Sequence, residues 1–282
     1  MASVKAVTLA YICCEPEGGK SDSPPIILHH GFTSCKERWK PILQTLANQS
    51  KRVVYAIDAR NHGESERSDF FNFDILTKDL ENFMESKGIS KATLIGHSMG
   101  GVVTMALAVT TPEKVEKLII EDVSPKEPEP ELYYIFGAML EEQIKCFSTL
   151  TSSDTEGTVQ QKLRECIYRS IPMIPDADQE VIQAMKFPIK KGDHGYEPLT
   201  NLKVLLKAVQ NPPICSFPKG KSYNGNTLFI YGGQSNFSVI EDKDLILNYF
   251  PKAEFLCFED AAHEVCSFYP EKFLKAVLKH LT

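Results

Sequence analysis

Among the eight cysteines of this 282-residue chain there is no Cys-x-x-Cys pair, which removes zinc ribbons and dithiol redox motifs from consideration. Cys13, Cys14, Cys35, Cys146, Cys166, Cys215, Cys257 and Cys266 are scattered and read as reduced thiols, mostly in the core. No apolar run approaches the roughly twenty residues that a membrane-spanning helix needs, so no transmembrane segment is expected. A basic block is missing as well: 37 acidic against 31 basic residues leave a net charge of -6, with nothing like the footprint that phosphate backbones demand. A nucleic-acid partner is therefore not expected. The amino-terminal stretch lacks the basic region and small-residue cleavage site of a secretory signal and reads as a first strand. Without such a signal the sequons at Asn48 and Asn236 carry no weight. Internal repeats and low-complexity tracts are also lacking. No metal or organic cofactor is implied.

What is present is enough apolar material, 43% of the chain, to fill a large core. Short apolar runs over 4–8 and 10–14 read as a β-pair, and the Gly- and Pro-containing stretch 15–25 as a turn. Buried-type strands over 26–30, 52–57, 92–95 and 115–121 then alternate with amphipathic helices over 36–49, 73–87 and 98–110. From 126 to 220 the rhythm changes to helices alone, over 131–150, 158–170, 178–186 and 198–210. Strands return at 227–231 and 253–258, with helices over 240–249 and 270–281. The pattern predicts a mostly parallel, eight-stranded α/β sheet formed by 1–125 and 221–282, interrupted by a helical cap over 126–220.

Gly96-His97-Ser98-Met99-Gly100, followed by Gly101, fits G-x-S-x-G between an apolar strand and a helix. That setting turns a weak pattern into a specific one, because a strained turn there would lift the Ser98 hydroxyl to the carboxyl edge of the sheet. His30-Gly31-Phe32 follows an earlier strand at the place that supplies half of an oxyanion hole, so the amides of Phe32 and Met99 are the expected donors. A serine needs a base. His263 lies between the last strand and the last helix, where a late histidine belongs, whereas His30, His62 and His97 read as structural.

The acid is harder to assign. The turn after the penultimate strand holds Asn236 where many such folds have a carboxylate, and an amide cannot stabilise an imidazolium as a carboxylate does. Asp122, at the end of the strand 115–121, is the favoured supplier, since strands lie about 4.8 Å apart and a displacement of one strand keeps His263 within reach. Asp193, Asp242 and Asp260 stay open, while Asp58 reads as a backbone anchor.

The segments His30-Gly31-Phe32, Asp58-Ala59-Arg60-Asn61-His62-Gly63, Gly96 to Gly101 and Glu121-Asp122-Val123-Ser124-Pro125 together resemble one branch of the α/β-hydrolase superfamily. It is the group of alpha/beta-hydrolase domain-containing protein 11 and related bacterial short-chain acyl esterases. The resemblance is close over 26–125, looser after 227 and poor in the cap. It implies the α/β-hydrolase fold and a serine esterase or lipase whose catalytic triad takes its acid from Asp122. Members with an acid inside the cap keep Asp193 in view. Relatives commonly place an aromatic after the base, where this chain has Ala262-His263-Glu264. Eukaryotic relatives carry a mitochondrial presequence; none is seen here, so a cytoplasmic location is expected.

The expected substrate is an ester or thioester of a small or lipid-like acid, with His30, Tyr133, Phe136 and Met139 as candidate pocket residues. The competing expectation, prompted by Asn236 and the altered surroundings of His263, is an inactive ligand-binding protein on the same fold.

Overall fold

A computed structural model describes residues 5–170, 182–183, 185–212, 217–237 and 239–282. Its sheet has seven strands in the order β1-β3-β2-β4-β5-β8-β9. These are β1 (Tyr11–Cys14), β2 (Ile26–His29), β3 (Val54–Ile57), β4 (Ala92–His97), β5 (Val115–Glu121), β8 (Asn226–Gly232) and β9 (Ala253–Phe258). Only β1 runs antiparallel.

Both β2 and β4 are buried along their whole length, which is why they read as continuous apolar runs and not as alternating ones. One face of the sheet carries α2 (Phe73–Ser86) and α3 (Met99–Thr110), packed through Leu76, Leu80, Phe83, Val103 and Leu107. The other carries α1 (Lys40–Ser50) and the last helix (Pro270–Leu281), packed through Leu43, Leu46, Phe273 and Val277. A helix face of that kind contributes about 1.5–3 kcal/mol for each fully buried large side chain.

The expected eighth strand does not form among the described residues. Val7 and Leu9 are buried, which produced the strand-like pattern. However, the amides of Val7, Thr8 and Ala10 donate to the side chains of Asp79, Glu66 and Ser65 at 2.8–3.0 Å, so no ladder is needed to satisfy them.

Between β5 and β8 come α4 (Pro130–Ser148), α5 (Glu156–Ser170) and α6 (Leu202–Gln210). This region is not helical alone: β6 (Ile189–Gly192) and β7 (Gly195–Pro198) pair as an antiparallel hairpin. Gly192 and Gly195 flank its turn, with Gly195 at φ +130°. Pro198 pairs with Ile189 in that hairpin, so the last helix of the region begins at Leu202 and not at 198. The helix expected over 178–186 lies mostly outside the described residues. Val159, Leu163 and Ile167 share a small core with Cys146, whereas Leu140, Leu202 and Leu205 pack against Phe32 and Phe71. No helix among the described residues is long and apolar enough to cross a membrane.

Candidate active site

Ser98 occupies the turn between β4 and α3 with φ 50° and ψ -120°, a conformation that a non-glycine residue adopts only under constraint. The constraint is visible on both sides. Its N–H donates to the Glu121 carbonyl at 3.0 Å, and its own carbonyl accepts from Val102 at 3.0 Å. The turn closes only because Gly96 has no side chain, since a Cβ there would stand 2.5 Å from both the Gly100 carbonyl and Thr104 Oγ1.

Asp122 follows β5 directly and also has positive φ, 54°. Its N–H continues the ladder by donating to Ile230 at 2.8 Å, and this aims the buried carboxylate across β8. There Oδ1 accepts from the Gly232 N–H at 2.9 Å, while Oδ2 accepts from the Ser235 hydroxyl and from His263 Nδ1, the latter at 2.7 Å. The acceptor-only carboxylate puts the proton of the neutral imidazole on Nδ1, leaving the Nε2 lone pair free. Burial disfavours the charged imidazolium of His263, but the hydrogen bond to Asp122, that carboxylate's charge and the charges of Glu264 and Glu121 outweigh it and raise the pKa above the ordinary 6.5.

Two rings pack against the imidazole of His263. Phe237 stacks on it at 4.0 Å with 15° between planes, and His97 lies at 4.6 Å. His97 Nε2–H donates to the His263 carbonyl at 3.2 Å, which ties the residue before Ser98 to the loop that bears the imidazole. Among the described residues no hydrogen bond joins Ser98 Oγ to His263; such bonds are often long before substrate arrives.

The loop after β2 approaches the same point. A Cβ on Gly31 would stand 3.2 Å from Ser98 Cβ and 2.6 Å from His97 Nδ1, so only glycine lets this backbone come so close. Phe32 is the next residue, and its ring packs on Phe136 at 5.3 Å and on Phe71 at 6.2 Å. Met99 opens α3, where the first amides of a helix have no partner within the helix.

Two expected pocket residues are elsewhere. His30 is fully buried, with Nδ1–H donating to the Gly31 carbonyl at 2.7 Å and Nε2 accepting from Ala59 N–H at 3.0 Å. It braces the loop and lines neither of the two cavities described below. Met139 packs on the core formed by Cys146, Val159 and Leu163, because its position on α4 faces α5. Tyr133 and Phe136, on a different face of α4, pack with Phe32 on the cluster of Leu140, Leu202 and Leu205, and of the two only Tyr133 lines the cavity described next.

A cavity of about 410 Å³ opens beside the site, with Phe73, Val102, Val123, Tyr133, Phe217 and Phe237 as its apolar wall and the acidic Glu127, Glu129, Glu131, Glu241 and Asp242 also lining it. Ser98, Asp122 and His263 are not among its lining residues, but Val102, one turn beyond Ser98, Val123, next to Asp122, and Phe237, stacked on the His263 imidazole, are. Asn236 also lines it, and Asp242 there accepts from the Ser124 hydroxyl at 2.5 Å. A more open cleft of about 800 Å³ runs along the outer side of α4, but none of Ser98, Asp122 and His263 borders it. Asp193 sits in the β6–β7 turn, and Asp260 offers its carbonyl to Tyr269. Ser235 and Phe237 went unnoticed in the sequence, since a serine and a phenylalanine in a turn carry no pattern that separates them from ordinary loop residues.

The family model described as the alpha/beta hydrolase fold matches residues 24–270. The sn-1-specific diacylglycerol lipase ABHD11 of Danio rerio is 28% identical over 282 residues, covering 100% of this chain and 84% of that protein. Esterase YbfF of Escherichia coli (strain K12) is 27% identical, covering 92% and 94%. Among solved structures, a marine microorganism esterase superposes with a TM-score of 0.75 at 24% identity, covering 98% of this chain and 99% of that one.

Proposed function

Because the chain belongs to the alpha/beta hydrolase fold family, we propose that it is a carboxylic ester hydrolase working through a Ser98 acyl-enzyme. The observation that carries this reading is the 2.7 Å contact between Asp122 and His263 at the sheet edge where the strained Ser98 turn lies.

In the reading, His263 Nε2 takes the Ser98 proton as Oγ attacks the acyl carbon, and the Phe32 and Met99 amides hold the oxyanion. Asp122 stabilises the imidazolium, which then protonates the leaving alkoxide or thiolate. Water, deprotonated by the same imidazole, attacks the acyl-enzyme, and the acid departs as Ser98 regains its proton. Residues 126–220 serve as the cap over the core domain of 1–125 and 221–282, excluding water and shaping the acyl site. The apolar wall of the 410 Å³ cavity and the names of the lipase and esterase relatives support esters of small or lipid-like acids.

A fluorophosphonate probe should label the wild-type protein and leave Ser98→Ala unlabelled; equal labelling would reject Ser98 as nucleophile. Stopped-flow mixing with an activated ester should give an acyl-enzyme burst; tight binding with no burst would point instead to a ligand-binding protein without turnover on the same fold.

A further inference from the structure

We infer that Arg38 and Glu264 are positioning residues for the triad, one buried guanidinium bracing the residue before the acid and the residue after the base while Glu264 adds negative charge beside the imidazole. The inference rests on the assignment of Ser98, His263 and Asp122 above.

Arg38 lies in the single 3-10 turn Lys36–Trp39 after β2, and its side chain is 7% exposed. Nη1 donates to Glu121 Oε2 at 3.0 Å, and Nη2 donates to Glu264 Oε2 at 2.9 Å. The guanidinium also stacks over the Trp39 ring at 4.2 Å, which fixes its plane. Glu121 immediately precedes Asp122, and Glu264 immediately follows His263.

Glu121 extends the brace further. Its fully buried carboxylate accepts from the Cys266 N–H at 2.7 Å, and its carbonyl accepts from the Ser98 N–H at 3.0 Å. The loops after β2, β4, β5 and β9 thus meet in one network of charge-assisted and backbone hydrogen bonds, and each of them carries a part of the proposed site.

A purely structural account is the weaker one. Taking an arginine and a glutamate out of water is costly, and packed apolar side chains of equal volume stabilise a core at least as well. Such a cluster is therefore expected where geometry or electrostatics matters, and this one flanks both members of the acid–base pair. Two carboxylates share one guanidinium, so a net negative charge remains where the imidazolium must form.

The charged and titratable groups around His263 are Asp122 and Glu121 from the end of β5, Glu264 from its own loop, Arg38 from the loop after β2, and His97 from the turn after β4. His97 is held neutral, because burial pushes its pKa well below the ordinary value.

The decisive variant is Glu264→Gln in the full chain. It keeps the Arg38–Glu121 pair, whereas Arg38→Met would leave the fully buried Glu121 carboxylate without a cation and put folding itself at stake. The measurement is kcat and KM for 4-nitrophenyl acetate across pH, with thermal unfolding of each variant alongside. Glu264→Gln should lower plateau kcat by about tenfold with little change in KM, as a small displacement of a reacting group does. Its acid limb in kcat/KM should move to lower pH, because a charge that favours the imidazolium is gone. Glu264→Asp should return the limb toward the wild-type position, and it carries the test should the glutamine variant not fold. An unmoved acid limb in a folded Glu264→Gln protein overturns the proposal, whatever its rate. Ester turnover that survives Ser98→Ala would instead strike the triad assignment beneath it, so the two failures are told apart.

Discussion

The ring of Phe237 lies flat against the imidazole of His263, with 4.0 Å between centroids and 15° between planes. Stacked aromatic pairs contribute about 0.5–1.5 kcal/mol beyond their buried area. Phe237→Ala should therefore free the imidazole to rotate and lower kcat for a small ester by about twofold to thirteenfold, converting that range of energy to rate. Because the same ring walls the 410 Å³ cavity, bulkier acyl groups should lose less than acetate does. A series of 4-nitrophenyl esters of graded chain length measures both effects.

Asp122 holds His263 at 2.7 Å and is itself held by Gly232 and Ser235. Asp122→Asn should cost about 10⁴ in turnover, the loss expected when the orienting carboxylate becomes an amide. Asp193→Asn, in the β6–β7 turn, should leave turnover unchanged. Steady-state kinetics on the two purified variants decides which aspartate is the acid.

The pKa of His263 is raised above 6.5, so the imidazole is protonated and unable to accept the Ser98 proton over a wider range of acidic pH. Ester hydrolysis should be lost below this raised value and gained as pH climbs through it. A pH profile whose acid limb falls below 6.5 would contradict the assignment.

Stability should follow the other histidines. Burial lowers His29 to about 4 and His62 to about 3, drives His30 and His97 well down from 6.5, and lowers His280 as well. As pH falls below 6.5 the unfolded chain binds protons at these five sites that the folded one refuses, so their contribution, intact above 6.5, drains away toward the folded values. His263 has the opposite sign: its contribution is complete below 6.5 and is lost as pH rises through its raised folded value. Five groups outweigh one, and Tm should fall on acidification from pH 7 toward pH 4. Differential scanning calorimetry across that window tests the sign.

Gly96→Ala should destabilise by about 1–3 kcal/mol and reduce activity, as overpacking does where the neighbours are backbone. The new methyl would meet the Gly100 carbonyl inside the Ser98 turn. Urea unfolding and the rate of fluorophosphonate labelling report the two losses.

Much of this molecule is written in short windows of sequence. The wholly buried strands β2 and β4, the strand–turn–helix around Ser98 and the glycine-dependent loop before Phe32 each arise from residues within a few positions of one another. Three readings went astray where distant partners intervene. Residues 4–8 read as a strand, yet the side chains of Asp79 and Glu66 accept from the amides of Val7 and Thr8. His30 sits in a motif that suggests a pocket, yet the Ala59 amide claims its free nitrogen. Met139 shares a helix with Tyr133 and Phe136 but faces α5.

By itself the sequence determined the sheet's central strands, the turn that strains Ser98 and the candidates for base and acid, because periodicity and turn chemistry act locally. Only the tertiary structure decided that Asp122 meets His263 across 141 positions, that Phe237 covers the imidazole, and that Arg38 bridges Glu121 and Glu264 across 226 positions from one end. Those partnerships depend on which strand edges lie side by side, and the order β4-β5-β8-β9 is set by burial of the whole sheet and not by any segment within it.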